Sequence, residues 1–289
     1  MIAELEKNME EIIEPNLLNI EPAVDLVEKS KKLGRTLIYT SYVSGKNLAI
    51  ATVNSEGEAR IAAQVTNEVD WDQHYMPIFS VAEIIITGAD YLKRIDKLGP
   101  EAQNILDMMT KGKFAYLGDW REKHGFHREP DVAILSRSLD FPLPEQIEAP
   151  NRKIIVFTTD GMAKSEKADE LRKLGLEVVA TGEEGADGEK IADWLNKMHY
   201  KTAMMTTGPR VLQVFTEAGK MDFAYINIVE REIPGKLVTV LPAGKNFSDF
   251  GFSLYKSGGP ENVKTNDGAV FPQRYEVWAK KETLDALAA

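Results

Sequence analysis

Two spacings of apolar residues alternate along the middle of the chain. Short dense runs rich in β-branched and aromatic residues read as strands buried on both faces. These are TLIYTSYV (36–43), AEIIITG (82–88), DVAILS (131–136), KIIVFTT (153–159), EVVAT (177–181) and KTAMMTTG (201–208). Between them the apolar positions recur at helical spacing, which predicts helices around 70–79 and over 100–110, 165–175, 188–200 and 209–219. Ser165 is the expected N-cap of the third of these and Gly175 its stop. Trp71, Tyr75 and Phe79 fall at i, i+4 and i+8, the pattern of a core stripe. Residues 1–34 also read as helical, with Leu17, Leu18, Val24, Leu26 and Val27 in period, Pro15 and Pro22 as breaks or starts, and Gly34 as the stop.

Strands alternating with helices need βαβ crossovers, so the expected class is α/β with a mostly parallel central sheet flanked by helices. After Phe223 the alternation ends. FAYINIVERE, KLVTVLPA, FGFSLYKS and AVFPQRYEVWA read as strands joined by turns rich in Gly, Pro and Asn, expected to complete the same sheet in antiparallel fashion. No repeat and no low-complexity linker interrupts the chain. The expected organisation is an N-terminal helical arm, 1–34, packed on the body or on a partner, and one domain, 35–289.

Composition narrows the function. The chain has 289 residues, with 35 Lys and Arg against 45 Asp and Glu, a net charge of −10 that argues against nucleic acid or an anionic membrane as partner. The absence of cysteine excludes disulfides, thiolate metal sites and a cysteine nucleophile. The apolar runs are far too short to span a bilayer. The acidic start MIAELEKNMEEIIEP lacks the features of a signal or transit peptide, so a soluble, cytoplasmic, globular protein is expected.

In an open α/β sheet, ligands bind beyond the carboxyl ends of the strands. Four such ends carry suitable groups: Thr87-Gly88-Ala89-Asp90, Ser136-Arg137-Ser138, Thr158-Thr159-Asp160-Gly161 and Thr206-Thr207-Gly208-Pro209-Arg210. The last is the most informative. Its glycine lets a phosphate approach the backbone, and its proline presets the first helical turn, whose free N–H groups face an anion. Threonine hydroxyls at 158, 159 and 207 could bond phosphate or ribose, and Arg137 and Arg210 offer charge. Each turn taken alone also reads as a tight connection with a capping threonine. The chain contains no G-x-G-x-x-G, P-loop, G-x-S-x-G or H-E-x-x-H motif. His124 and His127 lack a third ligand nearby and read as solvated, as does the acidic run 182–189, so no metal is expected.

The segment 206–235, TTGPRVLQVFTEAGKMDFAYINIVEREIPG, resembles the signature of the RibD C-terminal, dihydrofolate-reductase-like reductases, in which a strand ends in Glu-Gly-Gly-Pro-Arg-Leu before a helix, a Gly-x-x-Asp turn and a further strand. AEIIITGADYLKR (82–94) is similar to that family's Ala-Asp-Ala-x-x-x-Gly-x-x-Thr strand and loop, DVAILSRSLDFPLP (131–144) to its next strand, and IIVFTT with ADELRKLGLEVV to the one after. The resemblance implies a dihydrofolate-reductase-like fold, NADPH across the strand ends, a homodimer, and hydride transfer to a small pterin-, pyrimidine- or ribosylamino-type substrate, as in riboflavin biosynthesis. Carried over by position, Thr207, Gly208, Pro209, Arg210, Val211 and Leu212 form the phosphate-binding helix start. Thr87, Gly88 and Asp90 line the nicotinamide-ribose side, and Thr158 and Thr159 lie near the adenosine phosphate. Ser44 matches the serine of the family's Ser-Leu-Asp-Gly loop, and Asn47 and Thr206 fall on the substrate side.

The chain departs from the pattern at both acidic positions. Ser44-Gly45-Lys46-Asn47 stands where the family has Ser-Leu-Asp-Gly, although Asn54-Ser55-Glu56-Gly57 offers a second alignment, and Thr206-Thr207-Gly208 stands where it has Glu-Gly-Gly. Lys46, Ser44, Tyr42 and Asp140 are candidate proton donors by position. Lys46 also suits a substrate phosphate, or an exposed loop position without function. Loss of the carboxylates keeps open a nucleotide-binding or scaffold homologue without turnover, and a flavin enzyme using the same strand ends is a third reading.

Overall fold

The computed structural model describes residues 21–57, 59–99, 104–206 and 208–289. Helix α1 (Glu21–Leu33) leads into strand β1 (Leu37–Gly45), followed by a hairpin of β2 (Ala49–Val53) and β3 (Ala59–Ile61). A π-helical segment, Asp70–Tyr75, runs directly into the short α2 (Met76–Phe79). Then come β4 (Ile84–Gly88), α3 (Ala89–Leu98), α4 (Ala115–Lys123), β5 (Asp131–Leu135), β6 (Ile154–Thr158), α5 (Glu166–Lys173), β7 (Glu177–Ala180), α6 (Gly188–Lys197), β8 (Thr202–Met205), α7 (Pro209–Glu217) and β9 (Phe223–Val229). The chain ends with β10 (Leu237–Thr239), β11 (Phe252–Lys264), β12 (Val270–Lys280) and α8 (Lys281–Ala288).

Nine strands form one sheet in the order β11-β12-β9-β1-β8-β4-β5-β6-β7, and β10-β2-β3 form a small second sheet. The segment from β9 to β7 is parallel throughout, while β12 and β11 add antiparallel at one edge. The α/β class and the mostly parallel centre with antiparallel C-terminal strands are as the sequence predicts. Two details differ. β9 joins parallel to β1, because α7 carries the chain back across the sheet before it, and β10 leaves the main sheet to pair with β2.

The apolar runs bury both faces, as a parallel sheet requires. On one face Leu37, Tyr39, Ile85, Val132 and Met204 pack beneath α1, α2, α3 and α5; on the other Ile38, Ile84, Ile86, Ala203 and Met205 pack beneath α6 and α7. Each fully buried aliphatic side chain contributes about 1.5–3 kcal/mol. Ala23 and Leu26 of α1 are fully buried in the first of these layers. Residues 1–20 of the expected arm lie outside the described residues. The Trp71, Tyr75, Phe79 stripe is core as predicted, with Tyr75 stacked on Phe79 at 5.7 Å. Ser165 caps α5 through the Ala168 N–H. The helix predicted over 100–110 does not form across 104–110, which is a series of turns, and 100–103 lie outside the described residues.

Beneath α4 lies a buried ionic cluster. Arg121 is 1% exposed and donates to the carbonyls of Ser80, Ala82, His127 and Arg128, which ties α4 to the strand entering at Ile84. Glu129, 2% exposed, pairs with Arg152 at 3.4 Å and accepts from Thr110; burial outweighs these partners and pushes its carboxyl up to about 7. The folded protein therefore holds a proton that the unfolded chain has released, so this group makes stability fall as pH rises from about 4.5 to about 7. Urea midpoints measured across that window should show a shallower slope in Glu129→Gln than in the parent protein. An unchanged slope would mean that Glu129 is ionised in the fold throughout.

Candidate functional site

The order of the sheet places the site. After β7 the chain returns to insert β8 between β1 and β4. From the ends of these neighbouring strands the connections diverge: β4 feeds α3 on one face of the sheet, and β8 feeds α7 on the other. Such a divergence opens a crevice at the carboxyl edge.

Both helices begin in that crevice. Each N-cap is a glycine, Gly88 for α3 and Gly208 for α7, so no capping side chain competes for the first-turn N–H groups. The two starts touch: a Cβ on Gly88 would stand 3.4 Å from Val211 Cγ2, and Arg210 pairs with Asp90 at 3.4 Å. Among the described residues, a Cβ on Gly208 would meet nothing within 4 Å beyond its chain neighbours, so the space above this backbone is open. Val211 and Leu212 are buried in the core and serve the helix start through their backbone alone. Pro209 occupies the first helical turn as predicted, and Thr207 lies outside the described residues.

The floor is polar. The register sets Thr87 of β4, Thr206 after β8 and Ser41 of β1 at one level across adjacent strands. Thr87 and Ser41 are buried, and Thr206 donates its N–H to the Ile86 carbonyl, which prolongs the β4–β8 ladder by one bond. Among the described residues, no hydrogen bond reaches the buried hydroxyls of Ser41, Ser44 and Thr158. Farther along the edge, Thr159 Oγ1 accepts from the Met162 N–H and so caps the turn after β6. Arg137, exposed at the end of β5, lies across Gly185 with Nη2 3.7 Å from where a Cβ would stand. It is an arginine without an ion pair or hydrogen bond among the described residues.

The loop after β1 is held from outside. Gly45 is required there, since a Cβ would approach the Arg231 carbonyl to 2.7 Å. Lys46 donates its N–H to the same carbonyl at 2.9 Å and pairs with Glu230 at 3.1 Å. Glu230 also pairs with Arg274, which bonds Glu276 in turn. Asn47 uses its amide in both directions on Ile233, donating to the carbonyl and accepting from the N–H. Burial pushes the Tyr42 phenol up to about 12, which disfavours it as a proton donor to a developing charge near neutrality. Asp140 is exposed and paired with Lys93. His124 stacks on Trp120 and bonds its carbonyl, while His127 sits beside Asp131. Among the described residues no cluster of three or more acidic or histidine side chains is arranged to hold a metal.

One carboxyl near the crevice is not evident from the sequence. Asp70 opens the π-helical segment, is 5% exposed, and accepts from the Asn227 side chain of β9. Burial pushes it up to about 7, opposed by the Asn227 bond. Asn67 and Gln273 bond to one another beside it, and the Asn67 side-chain Oδ1 accepts from the Asp70 N–H. The signal was the single amide inside FAYINIV, an apolar strand with no other reason to bury one.

No family model matches the chain, and no curated protein matches it. Solved structures do. A diaminohydroxyphosphoribosylaminopyrimidine deaminase/5-amino-6-(5-phosphoribosylamino)uracil reductase from Thermotoga maritima superposes with a TM-score of 0.56 at 14% identity, over 89% of this chain and 60% of that one. A pyrimidine reductase-like protein from Corynebacterium diphtheriae gives 0.54 at 19% identity, over 86% and 94%. The riboflavin biosynthesis reductase Rib7 of Saccharomyces cerevisiae gives 0.52 at 9% identity, over 85% and 90%. The chain thus spans 60% of the length of the Thermotoga protein. At these identities the likeness is one of fold, and it is the fold that the sequence resemblance implies.

Proposed function

We propose that the chain is a nicotinamide-dependent reductase that takes NADPH along the carboxyl edge of β8, β4, β5 and β6 and reduces a small pterin-, pyrimidine- or ribosylamino-type compound, as a homodimer. The observation that carries this reading is the pair of glycine-started helices meeting at the strand divergence, with open space above Gly208. Two helix starts aimed at one crevice favour a dianionic pyrophosphate through their N–H groups and dipoles. Once bound, the reduced nicotinamide supplies a hydride to a C=N or C=O carbon. The chain binds and orients: Gly88 and Gly208 admit the pyrophosphate, Thr87 and Thr206 face the reacting end, and Thr158 and Thr159 face the adenosine end. Lys46, held by Glu230, would meet a substrate phosphate only by exchanging that carboxylate for it. The fold shared with pyrimidine reductases supports the substrate class; fold by itself does not fix the reaction.

Arg137 is the group we assign to the 2′-phosphate that distinguishes NADPH from NADH, because its guanidinium has no partner among the described residues and sits at the end of β5, where the adenosine ribose would lie. Titration of nicotinamide fluorescence should show saturable binding of both dinucleotides, with NADPH tighter. Arg137→Ala should weaken NADPH about tenfold, the loss of one charge-assisted contact, and leave NADH unchanged. Equal weakening of both would remove Arg137 from this role. No binding of either by the parent protein would overturn the reductase and favour a scaffold without turnover.

A further inference from the structure

We propose that Asp70 is the acid of this site: its Oδ2 contacts the substrate ring and passes a proton to the heteroatom beside the carbon that is reduced. The inference rests on the reductase reading for its reaction, but not for the contact itself.

Placement comes first. Asn227 pairs in register with Val43 of β1, two residues beyond Ser41 on the same side of the strand. The carboxyl that Asn227 holds therefore stands over the β1–β9 edge of the crevice, one pleat nearer its mouth than the Thr87, Thr206 and Ser41 floor. The Asn227 amide takes Oδ1, and among the described residues no donor reaches Oδ2. A buried carboxyl with one oxygen fixed and the other without a partner is set to bond a ligand. The backbone that carries it is a π-helical turn, a widened geometry that recurs at functional sites.

Of the other candidate donors, the Ser44 hydroxyl is buried without a hydrogen-bond partner among the described residues and, as an alcohol, is far too weak an acid to give up its proton near neutrality, and the remaining three are engaged or too weakly acidic. Lys46 is paired with Glu230, Asp140 with Lys93 at the surface, and Tyr42 holds its proton too tightly. The groups that face Asp70 leave its proton in place. On its own segment, Asp72 is paired with Lys113, His74 with Glu261 of β11, and Tyr75 is buried with its phenol well above its ordinary range. Tyr39 of β1, Tyr225 of β9 and Tyr91 of α3 are likewise buried phenols, and Tyr275 of β12 stacks beside His74. No arginine or lysine among these pairs with Asp70, so burial keeps it near half-protonated at neutral pH. This chain lacks a carboxylate at Lys46 and Thr206; Asp70 supplies one from a different element. When a hydride reaches the C=N or C=O carbon, the nitrogen or oxygen takes the Oδ2 proton, Asp70 becomes a carboxylate, and water reprotonates it, so charge and electrons balance.

The test uses the full chain and 5,6-diaminouracil, the ring of the 5-amino-6-(phosphoribosylamino)uracil class without its sugar. Carboxyl carbon-13 spectra of the parent protein, with Asp70→Asn to assign the signal, should show Asp70 titrating near neutrality and shifting when the ring is added. Asp70→Asn should weaken ring binding about tenfold or more while NADPH affinity holds, and Asp72→Asn should change neither. Should Asp70→Asn fold poorly, the ring-dependent shift in the parent protein decides alone. An Asp70 signal that titrates in the ordinary carboxylate range and ignores the ring, or unchanged ring binding by Asp70→Asn, overturns the proposal. Failure of the parent protein to bind NADPH overturns the reductase reading instead, because the ring and the carboxyl are measured without the dinucleotide.

Discussion

Replacing Asp222 by alanine should destabilise the protein by about 2–6 kcal/mol, the cost of leaving two buried donors without an acceptor. Asp222 immediately precedes β9, is 2% exposed and accepts four hydrogen bonds from three residues, Arg35, Ile38 and Thr283. Arg35 reaches it with both guanidinium nitrogens, at 3.0 and 2.6 Å; the Ile38 N–H donates at 2.9 Å and the Thr283 hydroxyl at 2.5 Å. The carboxylate thus joins the entry to β1, the entry to β9 and the first turn of α8. In the alanine variant, Arg35 swings into water, since it is already partly exposed. The Ile38 N–H and the Thr283 hydroxyl remain buried without an acceptor, at about 1–3 kcal/mol each. Against a typical total of about 5–15 kcal/mol, that loss should appear as a lower urea midpoint and as early loss of amide protection in α8. The exposed pair of Arg210 and Asp90 makes the contrast, because Asp90→Ala should cost well under about 1 kcal/mol. A stability loss below about 1 kcal/mol for Asp222→Ala would show that the network is not what holds α8 to the sheet.

Strands buried on both faces announced themselves as apolar runs, and β1, β4, β5, β6, β7 and β8 lie where those runs are. Strand direction was also present in the sequence, though it was misread for β9: a helix between two strands implies a parallel crossover, and α7 is that helix. Elements held by tertiary contacts rather than by pattern left less trace. α4 is AYLGDWREK, with a central glycine that exists because a Cβ there would meet the Met109 carbonyl at 2.2 Å. α8 begins after Lys280, with no capping side chain to mark it. The β2–β3 hairpin is short, and β3 is exposed along its length, so it lacks the apolar alternation that reveals a strand. The same distinction holds at the site. The glycine-started helices are local motifs and were legible. Asp70 with Asn227, and Asn67 with Gln273, meet across 157 and 206 residues, a pairing no local pattern encodes.

Gly208→Val should separate binding from folding more sharply than any other substitution at the crevice. The backbone at Gly208 has φ −26° and ψ 168°, outside the left-handed region that favours glycine. Among the described residues, no atom beyond its chain neighbours lies within 4 Å of where its Cβ would be, so the isopropyl group enters open space. The cost in stability should stay within about 1 kcal/mol, since no buried contact is disturbed. The same space is where a pyrophosphate must come to reach the first-turn N–H groups of α7. Charge-assisted hydrogen bonds contribute about 1.5–3 kcal/mol each, so excluding the phosphate from even one of them should weaken NADPH by about tenfold to a hundredfold. NADH should lose affinity by the same factor, because the pyrophosphate is common to both; this distinguishes Gly208 from Arg137, whose effect belongs to NADPH alone. Fluorescence titrations paired with thermal unfolding of the same samples check both halves. Undiminished affinity in a folded variant would mean that the dinucleotide does not approach this backbone. Weakened affinity with a large fall in melting temperature would mean that Gly208 is needed by the fold itself, and the open space above it would then carry no functional meaning.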